Sequence, residues 1–218
     1  MKPKSNPIQQ WTLILGACSA WLAFFLQFYI LLSKYQLPFG LLLLRFFSYF
    51  TIIGTLIAAL YFSRELSFFI KKGNTIKLAF FPPIMVVSYA TFVTLGYHVL
   101  LQNVWNPQGL QWYVDKLLHV LVPLLVIFYW AFFADKKTFT WSIIPKTLIL
   151  PILFFVYVMI IGRFTDNYPY PFFDVDKNGF GHVFLFGIGL LVTLSIIVGL
   201  YGLISKRIVK YSHKAKGV

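Results

Sequence analysis

The chain has 218 residues, of which 59% are hydrophobic, 20% are aromatic and only 11% are charged. This composition excludes a soluble domain beside the apolar segments, and those segments are continuously apolar rather than alternating, which argues against a membrane β-barrel. The formal net charge of +13 would suggest nucleic-acid binding in a soluble protein. Because the basic residues here flank apolar segments, we predict an all-α, polytopic membrane protein with no nucleic-acid partner.

Six apolar stretches approach or exceed the ~20 residues that a helix needs to cross a ~30 Å hydrocarbon core. We interpret them as six transmembrane helices of a single domain that covers residues 1–218. The predicted spans are 11–32, 41–63, 78–101, 117–134, 142–162 and 180–205.

Lysine and arginine are divided unequally between the two sides that these spans define. Fourteen of the 19 fall in the N-terminus, in the loops after the second and fourth spans (with Lys146 at the start of the fifth span), and in the C-terminal tail. Such an excess marks the cytoplasmic face, so both termini are predicted to be cytoplasmic. The compact loops and the lysine-rich tail favour a bacterial inner membrane.

The second predicted span carries three residues that could take part in chemistry. Thr51 lies about ten residues from its outer start, or ~15 Å deep at 1.5 Å per residue. A threonine there usually bonds a carbonyl one turn earlier, and as a nucleophile it would need a base within reach. Ser48, one turn nearer the surface, is the alternative nucleophile. Arg45 either extends to the interface or holds the carboxylate of an acidic lipid.

The fourth predicted span begins with a carboxylate and an imidazole on one helical face. Asp115 and His119 are four residues apart, so the acid could fix the tautomer of the imidazole and support its protonated form. The alternative is that Asp115 caps the helix while His119 bonds a neighbour. In the loop before this span, Trp105 and Trp112 are typical of a membrane interface and are candidate contacts for a lipid.

The loop between the fifth and sixth spans is the second polar, aromatic connection on the outer side. We predict that Tyr168, Tyr170, Asp174 and the nearby His182 contact the polar part of a substrate. A competing hypothesis is a metal site, since imidazole and carboxylate ligands suit zinc. Its ligands would be His98, His119, His182 and Asp115, although no closely spaced ligand motif is present.

Three segments, together with the six-span layout, resemble the androgen-induced/FAR-17a-like (Pr6Pr) family of integral membrane proteins. They are Phe47–Ile53, Asp115–Pro123 with its histidine and later proline, and the Tyr-Pro-rich loop Tyr168–Asp174. The resemblance covers nearly the whole chain. It implies a threonine hydrolase for fatty-acid esters of hydroxy fatty acids, in which a threonine of helix two and a histidine of helix four form the catalytic pair. By the matched segments these are Thr51 and His119.

We therefore expect an intramembrane hydrolase of lipid esters that works through an acyl-enzyme and needs no cofactor. In this scheme Thr51 attacks the ester carbonyl, His119 relays the proton and Asp115 orients His119. A tunnel lined by Phe and Leu would hold long acyl chains and open to the outer half of the bilayer. Two alternatives remain open: a metal-dependent lipid hydrolase, and a lipid-binding or transport protein without catalysis. Neither the oligomeric state nor the oxyanion-hole donors follow from the sequence.

Overall fold

The computed structural model describes residues 6–71, 81–137 and 139–214, which form helices and short connections with no strand among them. These described residues include six helical segments that are long and apolar enough to cross a membrane. The prediction of an all-α protein with six membrane-spanning helices is confirmed. The spanning segments are Pro7–Lys34, Phe50–Ile70, Pro83–Leu101, Leu110–Phe132, Ile143–Thr165 and Phe180–Tyr211.

The α-helices of the described residues are numbered in chain order. They are α1 (Pro7–Lys34), α2 (Phe39–Phe47), α3 (Phe50–Ile70), α4 (Pro83–Gly96), α5 (Leu110–Lys116), α6 (Val122–Phe132), α7 (Ile143–Thr165), α8 (Val175–Asn178) and α9 (Phe180–Lys214). A π-helical turn at Tyr97–Leu101 extends α4, and a second one at Leu117–Leu121 joins α5 to α6. The predicted start of the third span, at residue 78, lies outside the described residues.

The second predicted span, 41–63, is two helices rather than one. The α-helical hydrogen bonds stop at Phe47, Tyr49 has extended backbone angles, and α3 begins at Phe50. The predicted depth of ~15 Å for Thr51 requires an unbroken helix over the second span. Thr51 instead lies in the first turn of α3, whose 21 residues alone are about 31 Å long.

Side chains of Ser48 and of two distant tyrosines bond backbone groups that this break leaves without helical partners. The carbonyl of Leu44 accepts from the Ser48 hydroxyl at 2.8 Å and from the Tyr157 hydroxyl of α7 at 2.7 Å. The N–H of Phe50 donates to the Tyr170 hydroxyl at 2.9 Å. Irregular backbone at membrane depth is tolerated only where neighbouring groups replace the lost hydrogen bonds, and here they do.

The fourth span begins at Leu110, seven residues before its predicted start at 117. Residues 110–116 are less apolar than those that follow, so hydropathy placed the boundary too late. The π-helical turn that follows carries His119 and lies just before Pro123, which lacks the N–H of a regular helix. Single π-turns of this kind occur frequently at functional sites.

The helices pack around a core of large side chains, of which Leu13, Phe62, Tyr89 and Leu194 are almost fully buried. Helix α3 packs on α1 and α4, and α4 packs on α6 and α9. Helix α7 approaches α9 most closely. The space bounded by α3, α4, α7 and α9 contains the cavity described below.

Side-chain contacts show which helix ends share one end of the bundle. Gln9, near the start of α1, donates to the Tyr129 hydroxyl at the end of α6, and Tyr129 donates to Glu65 near the end of α3. Lys206 of α9 lies 4.8 Å from the ring of Trp141 in the connection after α6. We call this the basic end because Arg64, Lys71, Lys136, Lys137 and Lys206 lie there; the opposite end, with Thr51 and His119, is the site end.

Candidate functional site

Thr51, His119 and Asp115 form a connected row at the site end. The Thr51 hydroxyl lies 3.3 Å from Nε2 of His119, and Nδ1 of His119 lies 3.2 Å from a carboxylate oxygen of Asp115. An ionised carboxylate can only accept, so Nδ1 carries the proton and Nε2 of the neutral imidazole is free to accept from Thr51. The arrangement is that of a hydroxyl nucleophile, a base and an orienting acid.

The Asp115 carboxylate is almost fully buried, with 1% exposure, and its oxygens have three side-chain partners. Besides His119, it accepts from the Tyr97 hydroxyl at 2.5 Å and from the Trp105 indole N–H at 3.2 Å. A buried charge is very costly unless it is paired and hydrogen-bonded. These donors therefore allow Asp115 to stay ionised behind His119.

Further contacts hold His119 at the face of its ring, at its Nδ1 atom and at its backbone carbonyl. The Tyr97 ring stacks on the imidazole, with 4.0 Å between centroids and 15° between planes. The Thr94 hydroxyl donates to the His119 carbonyl at 2.5 Å, and Nδ1 also lies 3.1 Å from the Asp115 carbonyl. These contacts fix the orientation of the imidazole between Asp115 and Thr51.

The structure separates the two candidate nucleophiles. Ser48 is 3% exposed, and its hydroxyl donates to a carbonyl of its own helix. The hydroxyl that reaches His119 belongs to Thr51. Since a hydroxyl needs a base within reach to act as a nucleophile, the geometry favours Thr51.

The start of α3 gives Thr51 a second feature that an unbroken helix would lack. The first N–H groups of a helix have no partners within it, and the helix dipole places partial positive charge there. Thr51 is the second residue of α3. Negative charge that develops beside its hydroxyl is therefore stabilised by the local backbone.

A cavity of about 580 Å³ lies beside Thr51. Its lining is almost entirely apolar, and Thr51, Tyr97 and Tyr170 are the hydroxyl-bearing residues among it. Its volume falls within the usual range for small-molecule sites. The apolar lining suits a hydrocarbon chain whose reactive group reaches Thr51.

One wall of the cavity faces the outside of the bundle. Its residues on α7 and α9 are between 42% and 50% exposed. The wall is made by Ile152, Val156, Ile160, Phe184 and Ile188.

Of the seven predicted lipid or substrate contacts, Tyr170 alone is among the residues that line this cavity. Arg45 packs on the Tyr35 ring, 3.9 Å from its centroid, and donates to the Tyr35 hydroxyl. Trp105 is 44% exposed, and its indole N–H donates to the Asp115 carboxylate. Its contact is therefore with the acid of the site. Trp112 is 46% exposed and lies beneath Lys116.

The remaining predicted contacts lie in the connection after α7 and at the start of α9. The Tyr168 ring lies over Gly162, where an added Cβ would be 2.2 Å from a ring atom. Asp174 caps α8 and pairs with Lys177 at 2.7 Å, and this pairing lowers the pKa of Asp174 below its ordinary value. His182 is exposed. These residues have structural roles here or face outward.

Of the residues considered as metal ligands, the structure brings together Asp115 and His119 but does not group a third ligand with them. His98 is exposed and its Nδ1 lies 2.7 Å from the Thr94 carbonyl, whereas His119 is buried between Tyr97 and Asp115. In the part of the chain that the structure describes, no three His, Cys, Asp or Glu side chains are grouped to hold a metal ion. The described geometry therefore lends no support to the metal hypothesis.

Sequence reasoning missed two residues of the site, Tyr97 and Thr94. Both lie in the third span, and nothing in their spacing distinguishes them from other polar residues of membrane helices. Their importance comes from contact with Asp115 and His119, 18 and 25 residues further along the chain. The sequence instead suggested His98, the residue after Tyr97, as a possible metal ligand.

Fold and site together define a helical membrane protein in which a threonine, a histidine and an aspartate meet beside an apolar cavity. No family model matches the sequence, and no curated protein or solved structure matches it either.

Proposed function

We propose that the protein is an intramembrane threonine hydrolase that cleaves lipid esters through an acyl-enzyme. The observation that carries this proposal is the 3.3 Å contact between the Thr51 hydroxyl and Nε2 of His119, with Asp115 behind it. Isolated threonines in membrane helices bond their own helix, as Thr147 and Thr193 do. A threonine that reaches a buried, acid-backed histidine is set up for nucleophilic attack.

The chemistry proceeds in two halves. Thr51 Oγ1 attacks the ester carbonyl carbon while its proton moves to Nε2 of His119, and the carbonyl π electrons move to oxygen. The tetrahedral intermediate then expels the alcohol, which takes the proton from His119, leaving the acyl group on Thr51. Water, deprotonated by His119, attacks this ester, and the fatty acid leaves as His119 returns the proton to Thr51 Oγ1. The net reaction consumes one water and yields one acid and one alcohol.

The cavity supports a long-chain substrate. A chain lying among the phenylalanine, leucine and isoleucine side chains of the cavity would remove its apolar surface from water, at roughly 25 cal/mol per Å². Its ester would lie at Thr51, where a hydroxyl-bearing residue interrupts the mostly apolar lining of the cavity. Fatty-acid esters of hydroxy fatty acids fit this description, as do other esters with one unbranched acyl chain.

We further propose that the site end faces outward and that both termini are cytoplasmic, in a bacterial inner membrane. The support is the concentration of lysine and arginine at the basic end, together with the rule that such residues stay in the cytoplasm. Single cysteines introduced at Asp176 and Lys137 in a Cys18→Ser background would test this in intact cells. A membrane-impermeant maleimide should label residue 176 and spare residue 137, and the reverse pattern would overturn the proposed orientation.

The function is tested with purified protein and a panel of long-chain lipid esters. Thr51→Ala and His119→Ala should each lower turnover by about 10⁴-fold or more, because a triad acts as a unit. Ser48→Ala is the matched control, since it removes a neighbouring hydroxyl that bonds the Leu44 carbonyl and Tyr157 rather than His119, and it should keep most of the activity. Mass spectrometry of quenched wild type should find the acyl group on the peptide that contains Thr51.

A lipid-binding protein without catalysis is the second candidate, and the apolar cavity itself favours it. In that case folded wild type would retain lipid through purification but hydrolyse no ester of the panel. Activity that survives Thr51→Ala and disappears with a chelator would instead support a metal-dependent hydrolase. Either result would overturn the threonine mechanism.

A further inference from the structure

The Tyr170 side chain lies against the N-terminal end of α3, which carries Thr51 and follows the interruption between α2 and α3. Tyr170 is 8% exposed, and its hydroxyl oxygen lies 2.9 Å from the N–H of Phe50. The same hydroxyl is hydrogen-bonded with Thr51. Tyr170 is also among the residues that line the cavity in which the ester would lie.

We propose that the Tyr170 hydroxyl, polarised by the first-turn N–H groups of α3, stabilises the oxyanion that forms when Thr51 attacks an ester. This inference rests on the proposed function and names a donor that the mechanism requires. As the carbonyl carbon bonds Thr51 Oγ1, its oxygen gains the negative charge within one bond of the attacking atom. A donor beside that hydroxyl is therefore close to the oxyanion.

Tyr170 is suited to donate rather than to carry charge. Burial raises the pKa of Tyr170, and hydrogen bonds from Phe50 and Thr51 offset only part of that effect. The phenol therefore keeps its proton at neutral pH. Because its oxygen already accepts from Phe50, polarisation by this N–H makes the O–H a stronger donor.

The backbone contributes in the same direction. Phe50 and Thr51 are the first two residues of α3, so their N–H groups have no carbonyl partner within the helix, and both donate to the Tyr170 hydroxyl oxygen. The partial positive charge of a helix N-terminus favours a nearby anion. Preorganised donors in a site without water lower the barrier more than the same donors would in water.

Packing fixes the position of the phenol. The Tyr170 ring stacks on Phe172, with 5.1 Å between centroids, and meets Phe173 and Tyr49 edge-on at 5.7 and 5.9 Å. Tyr170→Phe keeps all of these ring contacts and removes one oxygen atom. This substitution therefore isolates the contribution of the hydroxyl.

Kinetics and ligand binding of purified Tyr170→Phe test the proposal. Removing one oxyanion donor should lower kcat by about 10²- to 10³-fold while KM changes little. A long-chain trifluoromethyl ketone, which forms a tetrahedral adduct with the nucleophile, should bind more weakly by a similar factor. An ether of the same length, which cannot form the adduct, should bind as it does to wild type.

Tyr201→Phe is the matched control. It removes a tyrosine hydroxyl bonded to Thr91 at 2.7 Å, outside the cavity and the catalytic row. Its kcat and both affinities should equal those of wild type.

Three results would overturn the inference. One is unchanged kcat in Tyr170→Phe when Thr51→Ala is inactive, which would leave the threonine mechanism standing without this donor. Another is parallel weakening of the ketone and the ether with a lower melting temperature, which would make the hydroxyl only a cap for α3. The third is full activity in Thr51→Ala, which would remove the proposed function as well.

Discussion

Two polar clusters lie at opposite ends of the bundle, and they share one chemical unit. In each, a tyrosine from a neighbouring helix donates to a carboxylate: Tyr97 to Asp115 at the site end, and Tyr129 to Glu65 at the basic end. We call them the Asp115 cluster (Thr51, Tyr97, Trp105, Asp115, His119) and the Glu65 cluster (Gln9, Arg64, Glu65, Tyr129). Their difference lies in what else surrounds the carboxylate.

In the Glu65 cluster an adjacent arginine neutralises the negative charge of the carboxylate. The Arg64 guanidinium pairs with the Glu65 carboxylate through two hydrogen bonds. Both side chains are partly exposed, at 29% and 24%. A satisfied, partly hydrated pair of this kind stabilises little and has no proton to relay.

In the Asp115 cluster the charge has no guanidinium or ammonium partner among its described contacts. Its neighbours are two neutral donors and an imidazole, and the imidazole reaches a hydroxyl at the wall of a large cavity. The carboxylate is therefore available to stabilise a proton that arrives on His119. The same tyrosine–carboxylate pair belongs to an ion pair at one end and, in the proposed mechanism, supports the catalytic histidine at the other.

Removing the charge at each end gives the largest expected contrast. Asp115→Asn should lower kcat/KM by about 10³- to 10⁴-fold, because an amide at that position no longer holds the tautomer in which Nε2 accepts. Glu65→Gln, the matched change in the Glu65 cluster, should leave kcat/KM unchanged. Steady-state hydrolysis of one long-chain ester measures both, and equal losses in the two variants would end the distinction between the clusters.

The two tyrosines provide a finer version of the same comparison. Tyr97→Phe removes a hydrogen bond to a buried charge, worth about 1.5–3 kcal/mol, so kcat/KM should fall by roughly 10- to 100-fold as Asp115 loses its fixed position. Tyr129→Phe should lower the melting temperature in detergent and leave kcat/KM as in wild type. If Tyr129→Phe lowered activity as much as Tyr97→Phe, the basic end would be part of the catalytic machinery.

The smallest expected effect concerns the cavity, which adjoins the Asp115 cluster. Gly96 lines it, and a Cβ added there meets no atom within 4 Å, so Gly96→Leu should fit by filling cavity space. Turnover of long-chain esters should fall several-fold while short-chain esters are affected less. Gly189→Leu is the control, since that glycine is equally open but lies outside the lining. Equal effects of the two variants would argue against the cavity as the acyl site.

Much of the architecture was predictable because hydropathy is a local property. A run of about 20 apolar residues must be a helix in hydrocarbon, where every backbone group needs an internal partner. The pairing of Asp115 with His119 was also predictable, since residues four apart on a helix are neighbours. Thr51 and His119 were paired through the family resemblance, and the structure brings their side chains into contact across 68 residues of sequence.

The break before α3 could not be predicted from the same signal. No proline or glycine marks it, and residues 47–53 are as apolar as the rest of the span. It is stable because Tyr157 and Tyr170, more than 110 residues away, supply the missing hydrogen bonds. Those partners exist only once α7 and the loop after it have packed.

The sequence by itself thus determined the class of protein, the number of spans and the acid–histidine pair, all of which depend on neighbours along the chain. Tertiary structure alone decided that Thr51 rather than Ser48 meets His119, that Trp105 and Tyr97 hold Asp115, and that Tyr170 lies at the start of α3. These outcomes depend on hydrogen bonds between distant segments. A buried polar group takes whichever partner the packed helices bring within about 3 Å, and that choice is made in space rather than in sequence.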